Sequence, residues 1–495
     1  MLYWSGLKSG GFSLFSEVIC RHEAFLNYLA RVHHNVPSSI HLFSDLSTEV
    51  HHAISRRELH DNTSIALRSL IEIIAAEPPH GNKTMMSETD FDSLLALSYH
   101  FSHLGLTGDS AYYNLIVSAP NDGKESDNSD SETDWNRVET FFKEKYREGI
   151  EAKFEEFNEI PSSEKQERRV TEADFKQEWQ QAFKAEFGLS LTEILRFFAC
   201  VIDLGFELET SSPHLPLSEF KARIQSTLKW SDADINQAIK QFSLVPRPKY
   251  EIAPDGYDTD KDIFPWVYNR RISYIVRPLI IGPEPKDDPL IFWGPRHMDE
   301  AMHLLMRNVF SGRYLREDNT SPEMKVFISK MQNDSARSFE KKVKKWFEKN
   351  TSWKIDHAVF ISPEGKLHSD VNIGDIDVLA IDVSSKKIYS IECKQFNFAR
   401  NPREIAREIR KILGNDGDHS SLMMKHLKRD AWLKSHVEDV QVVYGLPPGD
   451  YSIHSLFVVS EELPTAYLRE TPLEIIPISR LRREGQLVLK TGNKS

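Results

Sequence analysis

The stretch GDIDVLAIDVSSKKIYSIECK, from Gly374 to Lys394, decides the fold class of the C-terminal part of this 495-residue chain. Two apolar runs flank the Ser-Ser-Lys-Lys turn, which predicts an antiparallel β-hairpin. Both faces of the runs are apolar at mid-strand, which is typical of an interior hairpin. Charged residues are depleted within strands, yet four of them gather at the end of the hairpin opposite the turn. They are Asp375, Asp377, Glu392 and Lys394.

Carboxylates gathered beside apolar strands need a positive partner, because unpaired charges are costly in a medium of low dielectric constant. A divalent metal ion is the obvious partner, and hard oxygen ligands select Mg²⁺ or Mn²⁺. Mg²⁺ commonly takes one or two carboxylates and leaves its other positions to water and phosphate. Lys394 would reach the same pocket, where it can orient or deprotonate an attacking water or offset charge in the transition state. The residue set suits phosphodiester hydrolysis.

Asp377, followed after a short hairpin by Glu392-Cys393-Lys394, resembles the signature of the PD-(D/E)XK nucleases, the restriction-endonuclease-like superfamily. The segments GDIDVLA and IECK are most similar to Mrr-type restriction endonucleases and archaeal Holliday-junction resolvases. The chain departs from the family name at Ile376, which precedes Asp377 in place of proline. The resemblance covers residues from about 321 to 479 and carries no information on the first 320 residues.

The resemblance implies a role for each matching residue. The expected catalytic residues are Asp377, Glu392, Lys394 and Glu340, the last lying on the helix segment SARSFEKKVKKWF. Asp377 and Glu392 would hold Mg²⁺ or Mn²⁺ with help from the Cys393 main-chain carbonyl. Asp375 is the alternative ligand. Lys394 would serve the attacking water, and Glu340 would assist the metal directly or through water.

A basic helix follows the hairpin. Its cationic residues recur at spacings of four, seven and eight, which predicts one face that can track a phosphate backbone. A solvated helix laced with Glu–Arg pairs, involving Glu404 and Glu408, is the alternative. The expected nucleic-acid contacts are Gln395, Arg403, Arg407, Arg410, Lys411 and, on the next helix, Lys428. His426 on that next helix is expected to be a surface histidine.

The spacing of apolar residues divides the chain into five parts. Residues 1–120 and 135–245 are expected to be helical, and the acidic segment 121–134 between them is expected to be a flexible loop. Residues 246–320 form a Pro- and aromatic-rich connecting region with a small hairpin and a helix. Residues 321–495 form the nuclease-like domain. The predicted fold class is a mainly α N-terminal region plus a C-terminal α/β domain, restriction-endonuclease-like, with a mixed central sheet flanked by helices.

Several local features carry their own expectations. The segment 215–245 predicts two short helices capped by Ser218 and Ser231, and a helix-turn-helix is the alternative to a plain helical pair. The segment 321–350 predicts a helix, a loop and a second helix. Four arginines in the connecting region could contact nucleic acid, but pairing with nearby acids is the commoner arrangement. They are Arg270, Arg271, Arg277 and Arg296.

Composition limits the protein class. The formal net charge is -12, so any contact with nucleic acid must come from a local basic patch. Three widely separated cysteines argue for a reducing compartment and against a disulfide framework. The first twenty residues lack the pattern of a signal peptide. The most apolar helix candidate, Leu191–Leu208, carries four charged residues and is expected to be a buried core helix. We therefore expect a cytoplasmic protein that does not insert into membranes.

The sequence predicts a Mg²⁺- or Mn²⁺-dependent DNA endonuclease, and the resemblance implies a prokaryotic restriction or anti-phage effector. DNA is the expected partner, with RNA as the alternative. The N-terminal region could form a homodimer or bind a partner protein. One alternative function is a nucleic-acid-binding or scaffolding protein with a catalytically silent nuclease-like domain. Another is a helical interaction protein whose α/β domain is only structural.

Overall fold

The computed structural model describes most of the chain, and its descriptions apply to these residues: 13–40, 63–79, 87–115, 141, 177–267, 270–282, 287–314, 320–397, 399, 401–415 and 420–490. The expected loop 121–134 and nearly all of the stretch 135–176 lie outside them. The chain divides into two compact units. One comprises Met1–Gly108 and Arg169–Met331, and the other comprises Asp109–Arg168 and Gln332–Ser495. The sequence-based domain limits stay predictions.

The first unit is mainly helical, as predicted. Its first five described helices are α1 (Ser13–Ile40), α2 (63–76), α3 (Glu88–Tyr112), α4 (Gln177–Phe187) and α5 (Leu191–Glu207). Helix α5 is the expected buried core helix. A capping box at its start joins the Ser190 side chain to the Glu193 amide and the Glu193 side chain to the Ser190 amide. The two amides have no hydrogen-bond partner within the helix, so the capping box supplies their acceptors. It thereby stabilises the start of this apolar helix.

The predicted helical pair is present as α6 (Leu217–Leu228) and α7 (Asp232–Phe242). Ser231 caps α7 by accepting a hydrogen bond from the Asp234 amide. The prediction that Ser218 caps α6 is wrong. Ser218 lies inside the helix, and its amide and hydroxyl both donate to the Asp288 carboxylate. The Asp288 carboxylate, 70 positions away, thus accepts the hydrogen bond from the first turn of α6 that a local cap would otherwise accept.

A small four-stranded sheet completes the first unit. Its strands are β1 (His214–Pro216), β2 (Ser243–Leu244), β3 (Leu279–Ile281) and β4 (Leu290–Phe292), in the order β1-β4-β3-β2. The predicted hairpin is the antiparallel pair β3–β4. The remaining helices are α8 (Thr259–Asp262) and α9 (Pro295–Phe310).

Two arginines of the connecting region make internal ion pairs, as the commoner arrangement predicts. Arg270 binds the buried Glu72 carboxylate, and Arg271 lies 2.6 Å from Asp262. Arg270 therefore links the connecting region to helix α2, whereas the pair of Arg271 lies within the connecting region itself.

The second unit is built on a six-stranded mixed sheet. The strands are β5 (Lys354–Ser362), β6 (Leu367–His368), β7 (Gly374–Asp382), β8 (Lys387–Lys394), β9 (Ser452–Val459) and β10 (Glu474–Pro477). Their order is β10-β9-β8-β7-β5-β6. The quoted hairpin is the antiparallel pair β7–β8, and β9 lies parallel to β8. The predicted mixed sheet is confirmed.

Helices cover both faces of this sheet. They are α10 (Pro322–Asn350), α11 (Pro402–Leu413), α12 (Leu422–Ser435), α13 (Val437–Tyr444), α14 (Pro464–Leu468) and α15 (Ile478–Glu484), followed by a 3₁₀ turn, Gly485–Lys490. Phe339 and Phe347 of α10 pack on one face of the hairpin, and Leu433 of α12 packs on the other. This double cover explains why both faces of β7 and β8 are apolar.

Helix α10 differs from its prediction. The segment 322–350 is one continuous helix, so the predicted helix, loop and helix are wrong there. The Asn-Asp-Ser sequence at 333–335, which suggested the loop, weakens a helix only slightly. Among the described residues, no helix is both long enough and apolar enough to cross a membrane.

Candidate active site of the second unit

The hydrogen-bond ladders on both sides of β7 are interrupted at Asp377. On one side His357 pairs with Val378 and Val359 pairs with Ile376, and no ladder pair joins Asp377 to the residue between them. On the other side the β7–β8 pairs run from Asp382 only as far as Val378. Strands β7 and β8 therefore part at Asp377, whereas β5–β7 pairing skips one position and resumes, and a side chain can take the place of the missing main-chain bonds.

Asp377 uses its carboxylate to close this gap. Its Oδ2 accepts a hydrogen bond of 2.7 Å from the Cys393 amide and one of 3.2 Å from the Lys394 Nζ. Asp377 is 7% exposed. Asp377 is thus bound to the strand that carries Glu392 and Lys394, through the main-chain amide of Cys393 and the side chain of Lys394.

Glu392 is the second carboxylate of the cluster. Its Oε1 lies 2.8 Å from the Lys394 Nζ, and its Oε2 contacts Nη2 of Arg429 on α12. It is 5% exposed. Two buried carboxylates and two cations therefore meet at the end of the hairpin opposite the turn, where the sequence predicted the charged residues to lie.

The charges of the cluster shift one another's pKa values. Burial and the negative charge of Glu392 raise the pKa of Asp377 to about 7. Burial also acts to raise the pKa of Glu392, but Lys394 and Arg429 outweigh it and lower that pKa. Burial acts to lower the pKa of Lys394, yet the carboxylates of Glu392 and Asp377 raise it. Lys394 is therefore a firmly held cation, and Asp377 is the carboxylate that keeps a proton most easily.

Glu340 reaches the cluster from α10. Its negative charge contributes to raising the pKa of Asp377, and its Oε2 lies 3.7 Å from Nε2 of His357 on β5. Glu340 therefore lies near enough to Asp377 to act on its charge, and its role toward a metal ion stays a prediction. Asp375, the alternative ligand, is half-buried and pairs with Phe360 of β5.

The cluster offers two carboxylates to a metal ion. In the part of the chain that the structure describes, no group of three or more His, Cys, Asp and Glu side chains is arranged to hold one. Asp377 and Glu392 nevertheless converge on a single cation, since both contact the Lys394 Nζ. Two carboxylates are a sufficient protein contribution for Mg²⁺ when water and phosphate supply the rest. The donor set fits a shared metal site and does not form a complete protein cage.

The predicted nucleic-acid contacts lie on α11, α12 and the segment after β8. Arg407, Arg410, Lys411, Lys428 and Gln395 are exposed, and Arg403 is half-buried. The Lys411 Nζ lies 5.2 Å from the centre of the Phe396 ring. Burial and the nearby charge of Lys394 lower the pKa of Lys411, although part of its side chain is exposed. The basic face therefore begins beside the carboxylate cluster.

Two residues of α12 and α11 differ from expectation. His426 is fully buried, so the prediction of a surface histidine is wrong. Its Nε2 lies 3.2 Å from both the Ser390 and Leu456 carbonyl oxygens, and burial lowers its pKa to about 4. Glu408 is also buried, and it accepts hydrogen bonds from the amide and hydroxyl of Thr465. It is therefore not part of a solvated row of Glu–Arg pairs.

The sequence marks Arg429 only as one of the basic residues of its helix and does not connect it with Glu392. Arg429 lies 37 positions from Glu392, its partner, and no spacing rule joins the two. The only available signal was its place in the basic segment KHLKRDAW.

Comparison with known proteins assigns most of the chain to one family. The model of one family, described as anti-phage protein Upx-like, matches residues 31–480. The chain belongs to the anti-phage Upx-like family. Comparison with the curated proteins and with the solved structures gave no match. The family assignment makes this a defence-related protein, and it reaches across both units, whereas the nuclease resemblance was limited to the C-terminal third. The match does not itself assign the PD-(D/E)XK superfamily.

Proposed function

We propose that this anti-phage protein is a metal-dependent DNA endonuclease whose active site is the cluster of Asp377, Glu392 and Lys394. The observation that carries the proposal is the convergence of two buried carboxylates on one lysine, at the point where the strands of the sheet part. Buried carboxylates without a full set of neutral hydrogen-bond donors are costly for stability. A protein keeps such a cluster when its charge has a chemical use.

Asp377 and Glu392 would hold Mg²⁺ or Mn²⁺, with the Cys393 carbonyl as a third ligand and Glu340 assisting from α10. The bound ion would supply charge stabilisation at the phosphate and lower the pKa of a water. Asp377 retains a proton more readily than Glu392, so loss of that proton would accompany binding of the ion. The Asp377 carboxylate is held by the Cys393 amide and Lys394, and the Glu392 carboxylate by Lys394 and Arg429, so the oxygens are positioned before substrate arrives.

Lys394 would orient the attacking water and balance charge in the transition state. Because the two carboxylates raise its pKa, the ammonium form prevails, and removal of a proton from water is not its first role. The raised pKa therefore favours orientation of the water and charge balance over deprotonation of the water as the roles of Lys394.

The substrate surface would be the basic face of α11 together with Lys428 and Gln395. Arg407, Arg410 and Lys411 are exposed, and Lys411 lies close enough to the cluster for burial and the charge of Lys394 together to lower its pKa. A chain of net charge -12 gains affinity for DNA only through such a local patch. We expect DNA as substrate and test RNA as the alternative.

The test compares wild type with Lys394→Met and Lys387→Met. Lys387 is the matched control because it lies on the same strand at the other end. Each protein is incubated with supercoiled plasmid, single-stranded DNA and RNA, in Mg²⁺, Mn²⁺ or EDTA. We expect wild type and Lys387→Met to cut DNA in the presence of metal, and Lys394→Met to lose at least about 100-fold in rate.

The same experiment separates the alternative function. Retarded DNA migration without strand breakage in every metal would favour a nucleic-acid-binding protein with a silent nuclease-like domain. Equal cleavage by Lys394→Met and wild type would reject the proposed active site.

A further inference from the structure

Arg429 is a buried cation inside the carboxylate cluster. It is 6% exposed, and its Nη2 contacts the Glu392 Oε2. Its Nε has no hydrogen-bond partner in the part of the chain that the structure describes. Since a guanidinium group has five N–H donors, Arg429 is committed to Glu392 and is not fully satisfied by the surrounding protein.

The surrounding fold fixes the position of this side chain. One turn earlier on α12, the His426 ring lies against carbonyl oxygens of both β8 and β9, which anchors the helix to the sheet. At the start of β7, Gly374 has a φ of 112°, and a Cβ there would lie 3.3 Å from the Arg429 Nη1. The guanidinium therefore occupies a shaped space between α12 and the start of β7.

The two oxygens of Glu392 are divided between two cations, because Oε1 contacts Lys394 and Oε2 contacts Arg429. A metal ion bound by Glu392 and Asp377 would lie within a few ångströms of both. Like charges at such distances repel strongly inside a protein. Three carboxylates, those of Asp377, Glu392 and Glu340, balance the two cations with one negative charge left over. That single charge is too small to neutralise a divalent ion.

We infer that Arg429 is a positioning residue that holds Glu392 through Oε2 and, by its positive charge, weakens metal binding until a phosphodiester supplies further negative charge. This inference rests on the proposed function. A negative phosphate group in the substrate would complete the neutralisation, so tight metal binding would be reserved for the complex with nucleic acid. The competing explanation is that Arg429 only ties α12 to the sheet.

Metal affinity, measured without DNA, separates these explanations. Mn²⁺ binding is measured by titration calorimetry on wild type, Arg429→Gln and Arg429→Lys. We expect Arg429→Gln to bind Mn²⁺ about 10–100-fold more tightly than wild type, because a repelling charge is removed. Arg429→Lys keeps the charge and should remain within about threefold of wild type. The matched control is Lys425→Gln, which removes an equal charge from an exposed position on the same helix.

An affinity of Arg429→Gln equal to or weaker than that of wild type would overturn the inference. Equal tightening in Arg429→Gln and Arg429→Lys would also overturn it, because lost shape and not lost charge would be the cause. If Arg429→Gln does not fold, Arg429→Met is measured, because methionine is also uncharged and its thioether is a poor ligand for Mn²⁺. That variant must then bind Mn²⁺ more tightly than wild type at the same pH, and equal or weaker binding would overturn the inference.

If the proposed function is wrong, the result differs from the results that would overturn the role of Arg429 alone. It would appear as an absence of Mn²⁺ binding by wild type, or as binding that the Asp377→Asn variant retains in full. In either case the metal site itself is rejected. If wild type binds Mn²⁺ and Asp377→Asn does not, the metal site stands, and only the response of Arg429→Gln decides the role of the arginine.

Discussion

Asp377 shows how this chain tolerates a buried carboxylate. One oxygen accepts both the Cys393 amide and the Lys394 ammonium group. These two bonds do not offset the whole cost of burial, because the pKa of Asp377 is still raised to about 7. The residue is therefore held in a place where its negative charge is costly. Such a cost is common at sites built for chemistry.

Glu408 provides a pH test outside this cluster. Burial raises its pKa from 4.5 to about 7 in the folded protein. The folded state thus binds a proton more tightly than the unfolded state, so the stabilisation is complete below the unfolded pKa and is lost as pH rises through 7. We expect wild type to lose roughly 2–3 kcal/mol relative to Glu408→Gln between about pH 5 and pH 8. Urea denaturation across this range measures the difference.

The glutamine variant keeps an oxygen that can accept from Thr465, so the comparison isolates ionisation. Glu404→Gln, at a half-buried position on the same helix, serves as the control. A constant difference in unfolding free energy at every pH would contradict the raised pKa of Glu408.

At the residue scale, local sequence patterns found part of the site. The E-x-K motif and the aspartate before it predicted Asp377, Glu392 and Lys394, because a hairpin brings its two open ends together whatever else the chain does. Arg429 and the burial of His426 could not be read in this way. Both depend on which turn of α12 packs against β8 and β9, and that choice is made by tertiary packing.

Within strand β7, the alternation of side chains between the two faces of the sheet breaks at Asp377. Ile376 packs on the same face as Leu379, while Val378 packs on the opposite face. Strict alternation would place Ile376 and Val378 together. On the neighbouring strand, Ala358 has a φ of 54°, a conformation that L-residues rarely adopt. The irregularity is therefore shared by two strands at the position of Asp377.

Substitution at Ala358 tests this irregularity. Left-handed backbone costs a β-branched residue most and glycine least. We expect Ala358→Val to lower stability by about 1–2 kcal/mol, and Ala358→Gly to equal or exceed wild type. Thermal denaturation measures both. Strand propensity alone predicts the reverse order, so a valine variant more stable than the glycine variant would contradict the local conformation.

The basic face of α11 provides a second test at this scale. Replacement of Arg407 and Arg410 by glutamine should weaken DNA binding and reduce the salt dependence of log Kd by about two. Fluorescence anisotropy in increasing salt, with catalysis blocked by EDTA, measures the slope. The control replaces Lys386 and Lys387 at the turn end of the hairpin. Equal slopes for the α11 variant and the control would place the DNA elsewhere.

Sequence patterns predicted some elements better than others. The hairpin β7–β8 was clear because its apolar runs and its turn are local signals. The single helix Pro322–Asn350 was not predicted, because three polar residues in its middle looked like a loop. Apolar residues on both sides of that point, Phe327 and Phe339, are buried. Their burial outweighs a small deficit in helix propensity.

At the scale of the whole molecule, the family match and the proposed active site differ in extent. The match covers residues 31–480 and so includes both units. The site occupies the second unit alone. The mainly helical first unit was foreseen from apolar spacing, but its role was not, because a helical core carries no chemical motif. One of its buried ion pairs, between Glu72 and Arg270, joins residues 198 positions apart, which no local pattern predicts.

The role of Asp377, Glu392 and Lys394 in defence is measured by the efficiency of phage plating on cells that produce the protein. An infected cell supplies any trigger that a purified assay lacks. Cells with wild type or Lys387→Met should resist the phage, and cells with equal amounts of Lys394→Met should be as sensitive as cells without the protein. If Lys394→Met protects as well as wild type, the cluster of Asp377, Glu392 and Lys394 is not the centre of the defence activity.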